Sequence, residues 1–185
     1  MRVSRGLPDY LDPGLRAVIC GTAAGAVSAK RGRYYAGPGN EFWSLLYASG
    51  LTEARLDPSR DSEILKYGLG LTDIAKRVGA GSDWNLDADD FDVDGFVDKI
   101  ELFRPGWVAF HGKTAAKVVG RSLGEGRDVS LGEQDWEVGG RPVFVLPSAS
   151  ASNRDPSRLE GKPSRQAWFQ EFARLLERNS SSQGT

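Results

Sequence analysis

The sequence predicts an α/β fold with a short, mainly parallel sheet covered on both faces, a three-layer α/β/α sandwich. Two observations carry that prediction. Short runs rich in Val, Ile and Phe alternate with stretches of helical spacing. Two of the runs lead straight into loops of small residues, Gly21-Thr22-Ala23-Ala24-Gly25 and Pro147-Ser148-Ala149-Ser150-Ala151. In open sheets of this kind ligands sit outside the carboxyl ends of the strands, so the two loops should converge on a site.

The strands are read first. Leu15 to Cys20, Trp107 to His111 and Arg141 to Leu146 are apolar runs bounded by Gly or Pro, as buried strands should be, and a fourth short strand falls near Gly70-Leu71-Thr72. A helix is predicted from Asn40 to Ser49, with Asn40 as N-cap and Gly50 as the stop. Further helices are predicted from about Asp90 to Phe103, from Lys113 to Val119 and from Ser164 to Arg178. In the last, Trp168, Phe172, Leu175 and Leu176 recur at helical spacing and form a core-facing stripe. The Gly-rich, charged segment from Arg121 to Gly140 reads as a hairpin or a long surface connection. One domain is expected over residues 7–178, with a disordered tail at 179–185 and a second loose end in the first six or so residues.

Composition narrows the function. With 185 residues, 39% hydrophobic and 26% charged, the chain suits a single compact domain. No window approaches the roughly 18 consecutive apolar residues of a membrane span, and the start lacks signal-peptide character, so a soluble cytoplasmic protein is expected. Cys20 is the only cysteine and His111 the only histidine, which excludes a disulfide, a Cys-rich zinc site or an iron–sulfur cluster built from this chain alone. Cys20 reads as a small buried hydrophobe. Neither a GxGxxG run nor a Gly-Lys-Ser/Thr loop follows a strand, and there is no GxSxG, so nucleotide-cofactor and serine-hydrolase readings are disfavoured.

The net charge of −1 hides an asymmetry. Asp83, Asp87, Asp89, Asp90, Asp92, Asp94, Asp98 and Glu101 crowd one stretch against Lys99. Lys30, Arg31 and Arg33 precede the aromatic segment, while Arg154, Arg158, Lys162 and Arg165 follow the second loop. Both cationic groups are either solvated loop charges or, if they lie on the loop face, a surface for a polyanion.

Six segments occur in an order that resembles the mismatch-specific uracil/thymine-DNA glycosylase family. They are the lead-in Leu7 to Leu11, the loop Gly21 to Gly25, and Tyr35-Ala36-Gly37-Pro38-Gly39-Asn40-Glu41-Phe42-Trp43. Lys66 to Asp73 follows, and then Phe110 to Lys113 with the closing Pro147 to Ala151. The resemblance spans roughly Leu7 to Arg178 and implies a cofactor-free, metal-free, monomeric enzyme of uracil-DNA glycosylase-like fold. Its partner would be double- or single-stranded DNA containing uracil.

What the resemblance implies can be placed residue by residue. Tyr35 would offer the aromatic face for an extruded base, worth about 1–3 kcal/mol of stacking against an extrusion cost of a few kcal/mol. Thr22 and Ala23, in a loop with no large side chain, would bring backbone N–H groups to the base oxygens, and Ser28 would border the pyrimidine 5-position. Asn40 would contact the base if it does not simply cap its helix, and His111 is either a second polar group of the pocket or hydrogen-bonded structure. Lys30, Arg31, Lys113, Ser148, Ser150, Ser152, Asn153 and Arg154 would meet the DNA backbone or the gap left by the base. Ser152 and Asn153 are short for gap-filling, and Arg154 is the next filler in line. The family's first-loop asparagine, which holds the attacking water, is replaced by Ala23. Asp73 is the remaining catalytic candidate, and the competing reading makes it the cap of a helix after Thr72.

Overall fold

The computed structural model describes residues 6–75, 86–125 and 128–182. Five strands form one sheet: β1 (Ala17–Gly21), β2 (Leu69–Asp73), β3 (Trp107–His111), β4 (Gly132–Val138) and β5 (Arg141–Leu146), in the order β2-β1-β3-β5-β4. Strands β2, β1, β3 and β5 are mutually parallel, and β4 runs antiparallel to β5 at one edge. All five residues of β1 and of β2 are buried. Successive side chains of a strand point to opposite faces, so continuous burial means that both faces are covered.

The covering helices are α1 (Ala26–Arg31), α2 (Phe42–Ala48), α3 (Val93–Phe103), α4 (Lys113–Ser122) and α5 (Arg165–Ser182). Helix α2 packs on α5 and α3 on α4, which gives the two outer layers of the α/β fold. Phe144 of β5 meets Phe172 of α5 with ring centroids 4.9 Å apart, and Phe110 of β3 meets Phe96 of α3 at 5.9 Å. Aromatic pairs of this kind contribute beyond their buried area.

Several boundaries differ from those the sequence predicts, for local reasons. Helix α2 begins at Phe42, because Asn40 Oδ1 accepts from the Phe42 N–H at 2.9 Å and keeps its own residue outside the helix. Helix α3 begins after Asp92, whose carboxylate accepts from the Gly95 N–H at 3.0 Å. Ser164 Oγ takes the Ala167 N–H at 3.2 Å at the start of α5, and this helix continues past Arg178 to Ser182, through the first residues of the expected tail. Residues 183–185 lie outside the described residues, as do Asp83 of the acidic stretch and the first five residues. The charged segment before Gly140 contains β4, joined to β5 through Gly139 and Gly140 at φ 54 and 70, the left-handed pair that a tight hairpin requires. Helix α1 and the 3₁₀ stretch Pro58–Tyr67 are additions to the predicted elements.

Candidate active site

The ends of β1, β2, β3 and β5 open into one cavity of about 680 Å³. Thr22, Ala23, Ser28, Tyr35, Asn40 and His111, the six expected base contacts, all line it, together with Asp73, Ser148 and Ser150. Parallel register explains the convergence. Gly21 of β1 stands opposite Asp73 of β2, and His111 of β3 opposite Leu146 of β5, so the residues that leave each strand do so at the same edge.

The first loop is tied to the end of β2. The Gly21 and Thr22 carbonyls accept from the Ile74 and Ala75 N–H groups at 3.1 and 2.9 Å. Asp73, only 5% exposed, lays its carboxylate across Gly21 so closely that a Cβ there would collide with Oδ1. Glycine at this position is therefore a steric requirement. Asp73 ends a strand and faces the cavity, while the residues after 75 where the competing cap reading would place a helix lie outside the described ones.

Tyr35 forms a wall. Its ring stacks on Phe42 with centroids 3.7 Å apart and meets the His111 ring edge-on at 4.8 Å. Its φ of 52 is a left-handed conformation that costs an aromatic residue on the order of 1–2 kcal/mol and must be enforced by neighbours. Two anchors enforce it. On one side the Tyr34 N–H donates at 3.0 Å to Asp61, a fully buried carboxylate that also accepts from Tyr10 Oη at 3.1 Å and pairs with Arg33 at 2.8 Å. On the other, Ser28 Oγ accepts from the Ala36 N–H at 2.9 Å. The Ser28 oxygen is thus engaged with the backbone that carries Tyr35, and what it presents to the cavity is its small size.

His111 is also committed. Its Nε2 accepts from the Ala149 N–H at 2.9 Å, which places the ring proton on Nδ1. Burial, with a smaller contribution from the Arg165 charge, lowers its pKa to about 3, so it is neutral near pH 7 and is no proton shuttle there. It holds the second loop against β3.

That loop is held again from below. Arg165, which belongs to the cationic group after the second loop, is 8% exposed and points inward. Its Nη1 donates to Glu41 Oε2 at 2.5 Å, and its Nη2 donates to the Ser150 carbonyl at 3.0 Å and to the Asn153 carbonyl. The Glu41 N–H in turn donates to the Ala149 carbonyl at 2.9 Å, so the start of α2 and the second loop are joined as one unit. Lys162 is likewise drawn onto Glu171 and over the Trp168 ring, and Arg158 donates to Asn153 Oδ1 at 2.9 Å. Arg165 and Lys162 are therefore engaged within the fold, whereas Arg154 and Arg158 stay exposed, so only half of the second cationic group is left as a surface for a polyanion.

The remaining expected DNA contacts lie outside the cavity lining. Lys30 and Arg31 are exposed on α1, where Arg31 Nη1 reaches the Ala36 carbonyl at 3.3 Å. Lys113 is paired with Glu160, which also accepts from the Leu131 N–H, and burial, with a smaller contribution from the Lys117 charge, lowers the lysine's pKa. Ser152 and Arg154 are exposed, and the Ser150 and Ser152 hydroxyls are 2.9 Å apart. The inward roles of Asp61 and Arg165 leave no signal in the sequence, since each sits in a polar run that reads as surface. Among the described residues no group of three or more His, Cys, Asp and Glu is placed to hold a metal ion.

Among solved structures the chain is similar to the solution NMR structure of a candidate uracil DNA glycosylase from Methanosarcina acetivorans. Identity is 22% and the TM-score 0.63, over 94% of this chain and 98% of that one. That likeness establishes the α/β architecture with its mostly parallel five-stranded sheet. The family comparison goes further, because it matches residues 8–177, a span that contains both loops, the Tyr35 wall and Asp73. The chain belongs to the uracil DNA glycosylase superfamily.

Proposed function

We propose that the protein is a monofunctional uracil-DNA glycosylase of the mismatch-specific branch, which hydrolyses the N-glycosidic bond of a deaminated base and leaves an abasic site for base-excision repair. The observation that carries this reading is the juxtaposition at one cavity of the Tyr35 ring, the small-residue backbone of Gly21 to Gly25 and the Asp73 carboxylate. The extruded base stacks on Tyr35, whose opposite face is already occupied by Phe42. Backbone N–H groups of the first loop take the charge that grows on the base oxygens as the C1′–N bond opens. Asp73 accepts a proton from the water that adds to C1′, and the departing base anion takes its proton from solvent.

Ala23 favours a second reading. Where relatives hold the water with an asparagine side chain, this loop offers a methyl group, and a protein that binds uracil-containing DNA with little turnover would look the same. A panel of labelled oligonucleotides with U·G, U·A, single-stranded U and T·G, treated with protein and then hot alkali, separates the two. Strand breakage at uracil with little at thymine, unchanged by a chelator, is the expected result. Tight binding to the uracil strands without breakage at high enzyme excess would establish the second reading instead.

A further inference from the structure

We propose that the Tyr35 hydroxyl is a second catalytic group, which holds the attacking water jointly with the Asp73 carboxylate that Gly21 makes room for; this rests on the site being a glycosylase pocket. The Tyr35 hydroxyl oxygen is fully buried and has no hydrogen-bond partner among the described residues. A buried polar atom left in that state is destabilising, and phenylalanine would supply the same stacking face without the cost. With nothing among the described residues to satisfy it, the hydroxyl is open to a partner that enters the cavity.

Geometry says where that partner sits. A Cβ built on Gly21 would collide with Asp73 Oδ1 and stand 3.6 Å from Tyr35 Oη, so both oxygens border the same small space above the Gly21 backbone. They are neighbours without being bonded to each other, so one water can serve both, and a buried water needs two to four polar partners. The base itself does not fill the role. A base stacked on Tyr35 lies over the ring face, whereas the hydroxyl lies in the ring plane and points past it toward the strand ends.

The arrangement is also rigid. Phe42 beneath the ring, His111 at its edge and the anchored backbone on both sides keep Oη from swinging away. Burial and the Asp73 charge raise the hydroxyl's pKa well above the tyrosine value of 10.0, so it stays a donor throughout the working range. In the reaction Oη–H donates to the water oxygen and the water donates one hydrogen to the Asp73 carboxylate. Its remaining lone pair forms the bond to C1′ while the C1′–N bond breaks, its electron pair leaving with the base. The water proton passes to Asp73.

The test is Tyr35→Phe, Asp73→Asn and the double variant, measured in single turnover on a uracil oligonucleotide at saturating enzyme, beside a crystal structure of the free parent protein. Tyr35→Phe should cleave at least about 10-fold more slowly with unchanged affinity for DNA, the effect of one missing hydrogen bond in the transition state. The double variant should be no slower than the slower single one, because both groups act on one water. The crystal structure should show a water within about 3.2 Å of Tyr35 Oη and of the Asp73 carboxylate. Parental rates for Tyr35→Phe, or losses that multiply in the double variant, overturn the proposal. A dry gap overturns it alone, whereas a water in the gap of a parent protein that cleaves no uracil overturns the glycosylase reading and the water's catalytic role with it.

Discussion

The first loop, Gly21 to Gly25, and the second, Pro147 to Ala151 with its continuation to Arg154, leave parallel strands at the same end of the sheet, yet they are built of different material. The first has Thr22 as its one polar side chain, and backbone bonds to Ile74 and Ala75 hold it to the end of β2. The second carries Ser148, Ser150, Ser152, Asn153 and Arg154 and is strapped to the body by His111 and Arg165. A loop without bulk lets a ligand approach its backbone, which suits recognition of a flat base. A polar loop on a rigid strap presents hydroxyls and a cation at fixed positions, which suits the repeating phosphates of a strand. Chemistry should therefore follow the first region and grip the second.

The sharpest way to break that contrast is Asp73→Ala, which removes the carboxylate over Gly21. Single-turnover cleavage of uracil DNA should fall by about 10²-fold or more, with DNA affinity nearly unchanged. A folded variant that cleaves at the parental rate would move catalysis onto the loop backbone. Arg165→Met tests the other side. It releases Glu41 and two loop carbonyls, so DNA affinity measured by anisotropy should weaken roughly 10-fold while cleavage at saturating enzyme changes much less. An equal loss in both assays would show that the strap also sets the pocket, through Glu41 and the start of α2.

Smaller effects sharpen the comparison. Lys30→Ala with Arg31→Ala should leave cleavage at saturation intact and make the salt dependence of binding shallower, by about one counterion for each phosphate that is no longer neutralised. An unchanged slope would remove α1 from the DNA surface. The mildest expectation concerns pH. His111 is neutral in the folded protein with its pKa lowered to about 3 from 6.5, so the unfolded chain takes a proton that the native state refuses. Stability is full above pH 6.5 and should fall as the pH drops toward 3, by no more than about 1.4 kcal/mol per pH unit. Denaturant melts of the parent and of His111→Gln should converge toward low pH, and parallel curves would contradict this.

Much of this contrast is visible along the chain. The three apolar runs, their small-residue exits and the Tyr35 to Trp43 segment place the cavity and the six expected residues in its lining, because strand burial and loop bulk are properties of neighbouring residues. Helix α1 is not legible, since six residues between Gly25 and Gly32 are too few to display a period. Arg165, in the cationic group after the second loop, is illegible for a different reason. A charged residue reads as surface until its partner is known, and Arg165 finds Glu41 across 124 positions of sequence.

Local residue type and spacing are enough to specify the sheet-forming runs, the loops at their ends and the aromatic wall. Other features exist only once the chain has folded. Asp61 and Arg165 lie inside, His111 is a neutral acceptor, and the Tyr35 hydroxyl and the Asp73 carboxylate share the space above Gly21. Each of those outcomes is set by what stands opposite a polar group when water is excluded, and burial with a partner fixes orientation and protonation in a way that no run of neighbouring residues records.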